Sequence, residues 1–207
     1  SSTEELGITD LSPLLSVEGT TYALTSRGEG WYAAAEELTV AGGKTYGLTF
    51  AYGDVEVSAT TTVPEKPTGY TRSAGTLDLA DFPFSSVDPI ILRWDNPTSD
   101  FFQVNLEYAE QDTVVLGQFG NRPTGGGGPG MLSEPQQTDS YEVRFRSVSY
   151  LGTYRAILYR VNPEYAVFSG DANGESRELV APYTNVTNGL GLFTGVAADT
   201  LTFEVRE

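Results

Sequence analysis

The chain has 207 residues, with 28 acidic against 12 basic side chains and a net charge of −16. A hydrophobic content of 39%, with 12 tyrosines, 10 phenylalanines and 2 tryptophans, excludes a wholly disordered polymer. The negative surface excludes nucleic acid and anionic lipid as partners, because neutralising phosphate needs the opposite sign.

Cysteine and histidine are both absent. That removes disulfides, Ser-His-Asp and Cys-His nucleophiles, and zinc sites built from nitrogen and sulfur ligands. Catalysis would have to run on carboxylates, tyrosines, arginine or lysine, or an oxygen-bound metal. No apolar run is long enough to cross a bilayer as a helix. No charged-then-apolar leader opens the chain, so a mature or trimmed form is expected. Only Lys44 and Lys66 are lysines, a bias that suits secretion or a saline habitat and that a GC-rich genome would also produce.

In chain order, strands are expected at 20–25, 30–40, 44–53 and 55–63. Tyr46, Leu48 and Phe50 alternate with Thr45, Gly47 and Thr49, which places the large apolar groups on one sheet face. "AGGK" (41–44) and "YGD" (52–54) supply turns. Residues 1–64 therefore read as a small antiparallel β-sandwich. "VPEKPTG" (63–69) follows, and its two prolines favour an extended linker and a domain boundary.

Residues 65–207 read as a second β module. Ile90, Leu92 and Trp94 alternate with Ile91, Arg93 and Asp95, and Phe102, Val104, Leu106 and Tyr108 share a face. A tryptophan strand followed by an aromatic-rich partner resembles the fibronectin type III sandwich. "YEVRFRSVS" (141–149) reads as a further strand. Tyr150, Leu151, Tyr154, Ile157, Leu158 and Val161 recur at steps of three and four, which predicts one short helix within 149–162, ended by Asn162-Pro163. "DTLTFEVRE" (199–207) closes the chain as a strand. The expected fold class is all-β: two sandwich modules, the second fibronectin-III-like with one helix.

Between these elements lies a long glycine-rich loop, 118–140. Ordering such a segment costs about 1–2 kcal/mol of backbone entropy per residue, and its large apolar groups are few. The compensating contacts are expected from another chain or the neighbouring module, with Phe119, Arg122, Met131 and Leu132 as partner anchors. In "SGDANGESRE", Asp171, Asn173 and Glu175 alternate as oxygen ligands do at the start of a calcium loop. The glycine and bidentate glutamate such a loop requires are missing. A solvated acidic turn is expected there, with at most weak calcium and no other cofactor.

Glu36 and Glu37 are adjacent and would point to opposite faces of a strand, which does not suit paired-carboxylate hydrolysis. Tyr70, Phe82, Phe84, Tyr150, Tyr154, Tyr159, Tyr165 and Tyr183 could line a groove for carbohydrate or peptide. Core packing is the expectation for them. Asn185-Val186-Thr187 matches a glycosylation acceptor pattern, a short pattern that arises by chance.

Three stretches together resemble one family. They are "LTVAGGKTYGLTFAYGDVEVSATTTVPEKP" (38–67), "IILRWDNP" followed by "FFQVNLEY", and "APYTNVTNGLGLFTG" (181–195). The family is the domain of unknown function 4249, found in Bacteroidota as surface or periplasmic lipoproteins, often encoded near TonB-dependent outer-membrane transporters. Members usually begin with a lipidated cysteine and further strands; here there is no cysteine and the first module looks short, so a trimmed N-terminus or a divergent relative is expected. The family has no agreed catalytic residues.

The resemblance implies a non-enzymatic, exported cell-envelope accessory or binding protein, with a transporter or other protein as partner. The alternative is a structural subunit of an extracellular filament or surface assembly. In the C-terminal signature, Gly189, Gly191 and Gly195 are expected to let a bulged strand cross near the second module's core, which Leu190, Leu192 and Phe193 would fill.

Overall fold

The computed structural model describes residues 7–34, 38–79, 87–111, 114–115, 130–173 and 183–206; for 114, 115, 130 and 171–173 it describes the backbone alone. The chain divides into two compact units. The first comprises Ser1–Glu65 and Asn162–Val196, the second Lys66–Val161 and Ala197–Glu207. The division beside the Pro64–Pro67 linker matches where the prolines interrupt strand pairing. The expected contiguous second module over 65–207 does not: residues 162–196 belong with the first unit.

The first unit opens with β1 (Leu14–Val17), β2 (Thr20–Ala23), β3 (Thr25–Gly28), β4 (Trp31–Ala33), β5 (Thr45–Tyr52) and β6 (Val55–Thr62). The second unit contributes β7 (Thr71–Arg72), β8 (Thr76–Asp78), β9 (Ile90–Arg93), β10 (Phe101–Tyr108), β11 (Val114–Val115), β12 (Gly130–Leu132), β13 (Ser140–Val143) and β14 (Tyr150–Val161). The chain then returns to the first unit through helix α1 (Pro163–Asn173) and β15 (Val186–Thr187), and ends in β16 (Val196–Arg206). The fold is all-β with a single helix among the described residues.

In the first unit, a five-stranded sheet runs β15-β6-β5-β1-β2 and a separate ribbon pairs β3 with β4. The β5–β6 hairpin turns through Gly53 and Asp54, with Gly53 at φ +59° supplying the left-handed backbone of a two-residue turn. Its register sets Tyr46 opposite Thr61, Leu48 opposite Ala59 and Phe50 opposite Val57. The expected shared face of Tyr46, Leu48 and Phe50 is thus present. Strand structure in 30–40 is confined to β4, with 35–37 outside the described residues.

In the second unit, a sheet ordered β12-β10-β14-β16-β8, with β11 also on β14, faces a three-stranded sheet β13-β9-β7. Between them Ile90, Leu92, Trp94, Phe102, Leu106, Leu158 and Phe203 are buried in one core. The two alternations read from the sequence, at 90–94 and 102–108, are the ones that fill it. Strand structure in 141–149 is shorter than expected: β13 ends at Val143, and Phe145–Ser147 form a 3-10 turn.

The predicted helix within 149–162 is wrong. Residues 150–161 are β14, paired antiparallel with β10 from Phe101↔Val161 to Tyr108↔Tyr154. Tyr154, Ala156 and Leu158 face the core, while Leu151, Ile157 and Val161, on the alternate positions of the same strand, added the apolar groups that mimicked a helical period. Strand-favouring tyrosine, isoleucine and valine, and an eight-pair ladder, decide the outcome.

The helix begins instead at Pro163. Proline at the first helical position sacrifices no hydrogen bond, and the Asn162 carbonyl accepts from the amides of Tyr165 (3.0 Å) and Ala166 (3.3 Å). Glu164 places a carboxylate in the first turn, where the helix dipole favours it.

One hydroxyl anchors both ends of the returning segment. Thr61, buried on β6, accepts from Asn162 Nδ2 (3.0 Å) and from the buried Gly195 amide (3.1 Å), and donates to Glu164 Oε1 (3.3 Å). Those three bonds use the full capacity of a hydroxyl. At Gly195 the backbone passes so close that a Cβ would lie 2.7 Å from Val63 Cα.

Candidate functional site

Of the four partner anchors expected on the loop, Met131 and Leu132 lie side by side on β12, an edge of the larger second-unit sheet, and both are exposed. The Tyr141 hydroxyl lies 3.9 Å from the Met131 sulfur. Phe119 and Arg122 lie outside the described residues. The last part of the loop is not open chain. Gln103 Nε2 donates to the Ser133 carbonyl (2.7 Å), Gln136 and Phe102 exchange backbone bonds (both 2.8 Å), and Trp94 Nε1 donates to the Thr138 carbonyl (2.9 Å). For 130–140 the loop's own unit supplies ordering contacts.

Asp171 and Asn173 fall in the last turn of α1, so this stretch begins as helix rather than as the expected turn. Their side chains, and all of Glu175, lie outside the described residues. Among the described residues, no three acidic groups lie close enough to share a metal ion. Glu36, Glu37, Phe82 and Phe84 are likewise outside the described residues.

The tyrosines that could have lined a groove divide. Tyr70 and Tyr154 are buried in the second-unit core, with Tyr150 packed against it. Tyr159, Tyr165 and Tyr183 are half-buried. Tyr70 donates to the Ala156 carbonyl at 3.1 Å, and burial pushes its phenol far above the ordinary value of 10.0. Burial also raises Tyr141 and Tyr154. These three remain neutral hydrogen-bonding groups near neutral pH, unsuited to proton abstraction.

The segment 183–195 forms a hook on the first unit. β15 sets Val186 opposite Ala59 and Thr187 opposite Ser58. Asn185 brackets Phe193: its Nδ2 donates to the Phe193 carbonyl (2.7 Å), and its Oδ1 accepts from the Phe193 amide (2.8 Å). An asparagine held at both polar atoms is not an open glycosylation acceptor. Thr184 Oγ1 donates to the Gly191 carbonyl (2.9 Å) and accepts from the amides of Gly191 and Val186 (both 3.1 Å). Gly191 sits at φ +147°, where a side chain would be strained. Asn188 Nδ2 donates to the Glu56 carbonyl at 3.0 Å, tying the hook to the turn end of the β5–β6 hairpin.

The expectation for this segment is therefore half right. Gly195 does allow a close backbone crossing, but against Val63 of the first unit and not the second unit's core. Leu192 and Phe193 are half-buried, while Leu190 is 77% exposed. Leu190 fills no core.

Exposure is uneven between the units. Of twelve exposed large apolar side chains among the described residues, ten are in the first unit, Trp31 at 72% among them. Trp31 rides on the β3–β4 ribbon, fastened by Tyr32, whose hydroxyl accepts from the Leu11 amide (3.0 Å) and donates to the Ile8 carbonyl (3.1 Å). The sequence holds a signal for some of these. Trp31 follows the Gly28-Glu29-Gly30 turn, and Tyr52 and Val55 flank Gly53-Asp54, positions at hairpin ends where a strand face runs out of cover.

Charge is uneven as well. The first unit carries 14 acidic and 3 basic side chains, net −11; the second carries 14 and 9, net −5, together the −16 of the chain. Lys44, one of the three, is ion-paired with Glu18, whose hydrogen bond raises the lysine pKa.

No protein-family model matches this sequence, and no curated protein matches it.

Proposed function

We propose that this chain is a non-enzymatic, exported protein of the cell envelope that works as a binding or accessory module, beside an outer-membrane transporter of the TonB-dependent kind. The observation that carries the reading is the concentration of exposed apolar side chains on one unit, ten of twelve, against a well-filled core in the other. Exposed apolar groups set among polar ones mark surfaces that meet other molecules. Resemblance of 38–67, 89–108 and 181–195 to domain of unknown function 4249 supports the cell-envelope part.

The test is location. The full-length gene product, produced in its own host, should fractionate with the envelope, incorporate labelled palmitate if an upstream cysteine is lipidated, and crosslink to an outer-membrane protein. A product confined to the cytoplasm would overturn the proposal.

A structural subunit of an extracellular assembly is the second reading, favoured by one observation. Among the described residues β12 pairs with β10 alone, and it carries exposed Met131 and Leu132, so its other edge offers strand addition to a neighbour. Concentration-dependent sedimentation, abolished by Met131→Lys, would support it; a monomer at every concentration would remove it.

A further inference from the structure

We infer that the hook 184–195 is a recognition loop that presents Leu190 to a protein partner bearing an apolar groove rimmed by lysine and arginine. The inference rests on the binding-module reading and names the surface.

Leu190 is the most exposed large apolar side chain among the described residues, at 77%. A leucine that gains nothing from burial gives folding no reason to hold it in one place. Yet its loop is held, by Thr184 through Gly191, by Asn185 through Phe193 and by Asn188 through Glu56. Thus the backbone that carries the side chain is pre-organised, which lowers the entropic cost of binding. The Asn188 tie brings the tip to the end of the β5–β6 hairpin, where Tyr52 and Val55 are cross-strand partners and both exposed. Aromatic and aliphatic groups at one sheet end make an apolar platform.

Charge selects the occupant. Asp54 and Glu56, both exposed, sit in the same hairpin end, and the unit around them is net −11. A second copy brings the same negative field, and an anionic bilayer is repelled by it. A basic protein surface is attracted, and oppositely charged rims speed encounter and select the partner.

The probe is a labelled amphipathic peptide of leucine and lysine, with a leucine–glutamate peptide of the same pattern as control, titrated against the whole chain by fluorescence anisotropy. The lysine peptide should bind and the glutamate peptide should not. Leu190→Ser should weaken binding about tenfold or more, the consequence of losing one buried leucine, while leaving Tm unchanged. Asp54→Asn with Glu56→Gln should weaken it less and flatten its salt dependence. Leu132→Ser, an exposed apolar position on the second unit, should have no effect.

Equal binding by Leu190→Ser overturns the inference. So does a fall in its Tm, which would make the leucine structural. Tighter binding to phosphatidylglycerol vesicles than to the peptide, or self-association lost in Leu190→Ser, would give the surface to a membrane or to a second copy instead. None of these results would move the protein out of the envelope, so failure here is separable from failure of the broader proposal.

Discussion

The two units use similar lengths of chain in opposite ways. In the second, two sheets close on Leu92, Leu106, Leu158 and Val205, and Trp94 and Phe102 pack with ring centroids 5.5 Å apart. In the first, the buried apolar side chains among the described residues are Pro13, Tyr46, Val57, Ala59 and Val63, and the sheet face is half-covered at Leu15, Leu48 and Phe50. What holds the returning segment there is polar: Thr61, Asn162, Asn185 and Asn188 bonded to backbone and to one another. A unit held in part by specific hydrogen bonds depends less on covering every apolar group than a unit held by burial. The difference gives the two units different sources of stability.

Core truncation should reveal the contrast most strongly. Leu158→Ala, at a fully buried position, should cost about 2–5 kcal/mol, while Phe50→Ala on the half-covered sheet should cost clearly less. Chemical denaturation in a Trp31→Phe background, where Trp94 alone reports the second unit, measures the first. Circular dichroism measures both. Equal costs would break the contrast.

Next in size is the polar anchor. Thr61→Val leaves the buried Gly195 amide without its acceptor and should cost about 1–3 kcal/mol. Hydrogen exchange at Gly195 should accelerate, and Thr61→Ser should restore protection. Gly195→Ala, forced against Val63, should cost a similar amount, about 1–3 kcal/mol, by overpacking. An unchanged exchange rate in Thr61→Val would mean the hydroxyl is incidental.

A smaller effect depends on pH. Tyr70, Tyr141 and Tyr154, all of the second unit, have phenols raised above 10.0 by burial. In the unfolded chain they ionise near the ordinary value, about pH 10. The stability linked to their neutral form is therefore intact below that pH and is lost as pH rises toward the raised folded values. Urea midpoints should be flat through neutral pH and fall above about pH 10, less steeply in Tyr70→Phe. An identical slope in the variant would exclude Tyr70 as a source.

The smallest effect expected is at Trp31. Its replacement by serine should change stability by less than about 0.5 kcal/mol, although a tryptophan is lost. Iodide quenching should show the Trp31 emission accessible and that of Trp94 shielded.

Several of these features are legible in the order of residues alone. Alternation at 46–50, 90–94 and 102–108 places those side chains on the faces where they are found, because a strand's period of two is local and insensitive to its partner. The linker at Pro64 and Pro67 is legible for the same kind of reason, since proline removes a ladder donor wherever it stands. The candidate anchors are less so. Met131 and Leu132 stand out as apolar in a glycine-rich stretch, but nothing in that stretch announces pairing with Asn105 and Leu106.

Composition and short-range periodicity suffice for the all-β class, for the chemistry ruled out by the missing cysteine and histidine, and for the core-facing residues of the regular strands. Each follows from composition or from a period spanning a few residues. Contacts between distant parts of the chain make 150–161 a strand, join 162–196 to the first unit and leave Leu190 exposed. The first depends on the ladder with β10, a partner some fifty residues away. The second depends on one threonine hydroxyl about a hundred residues before the amides it accepts from. Leu190 is exposed because the bonds of Thr184, Asn185 and Asn188 hold the hook against β6 with its tip beyond the sheet. Long-range pairing energies of this kind carry no local period, so they become visible only when the chain has folded.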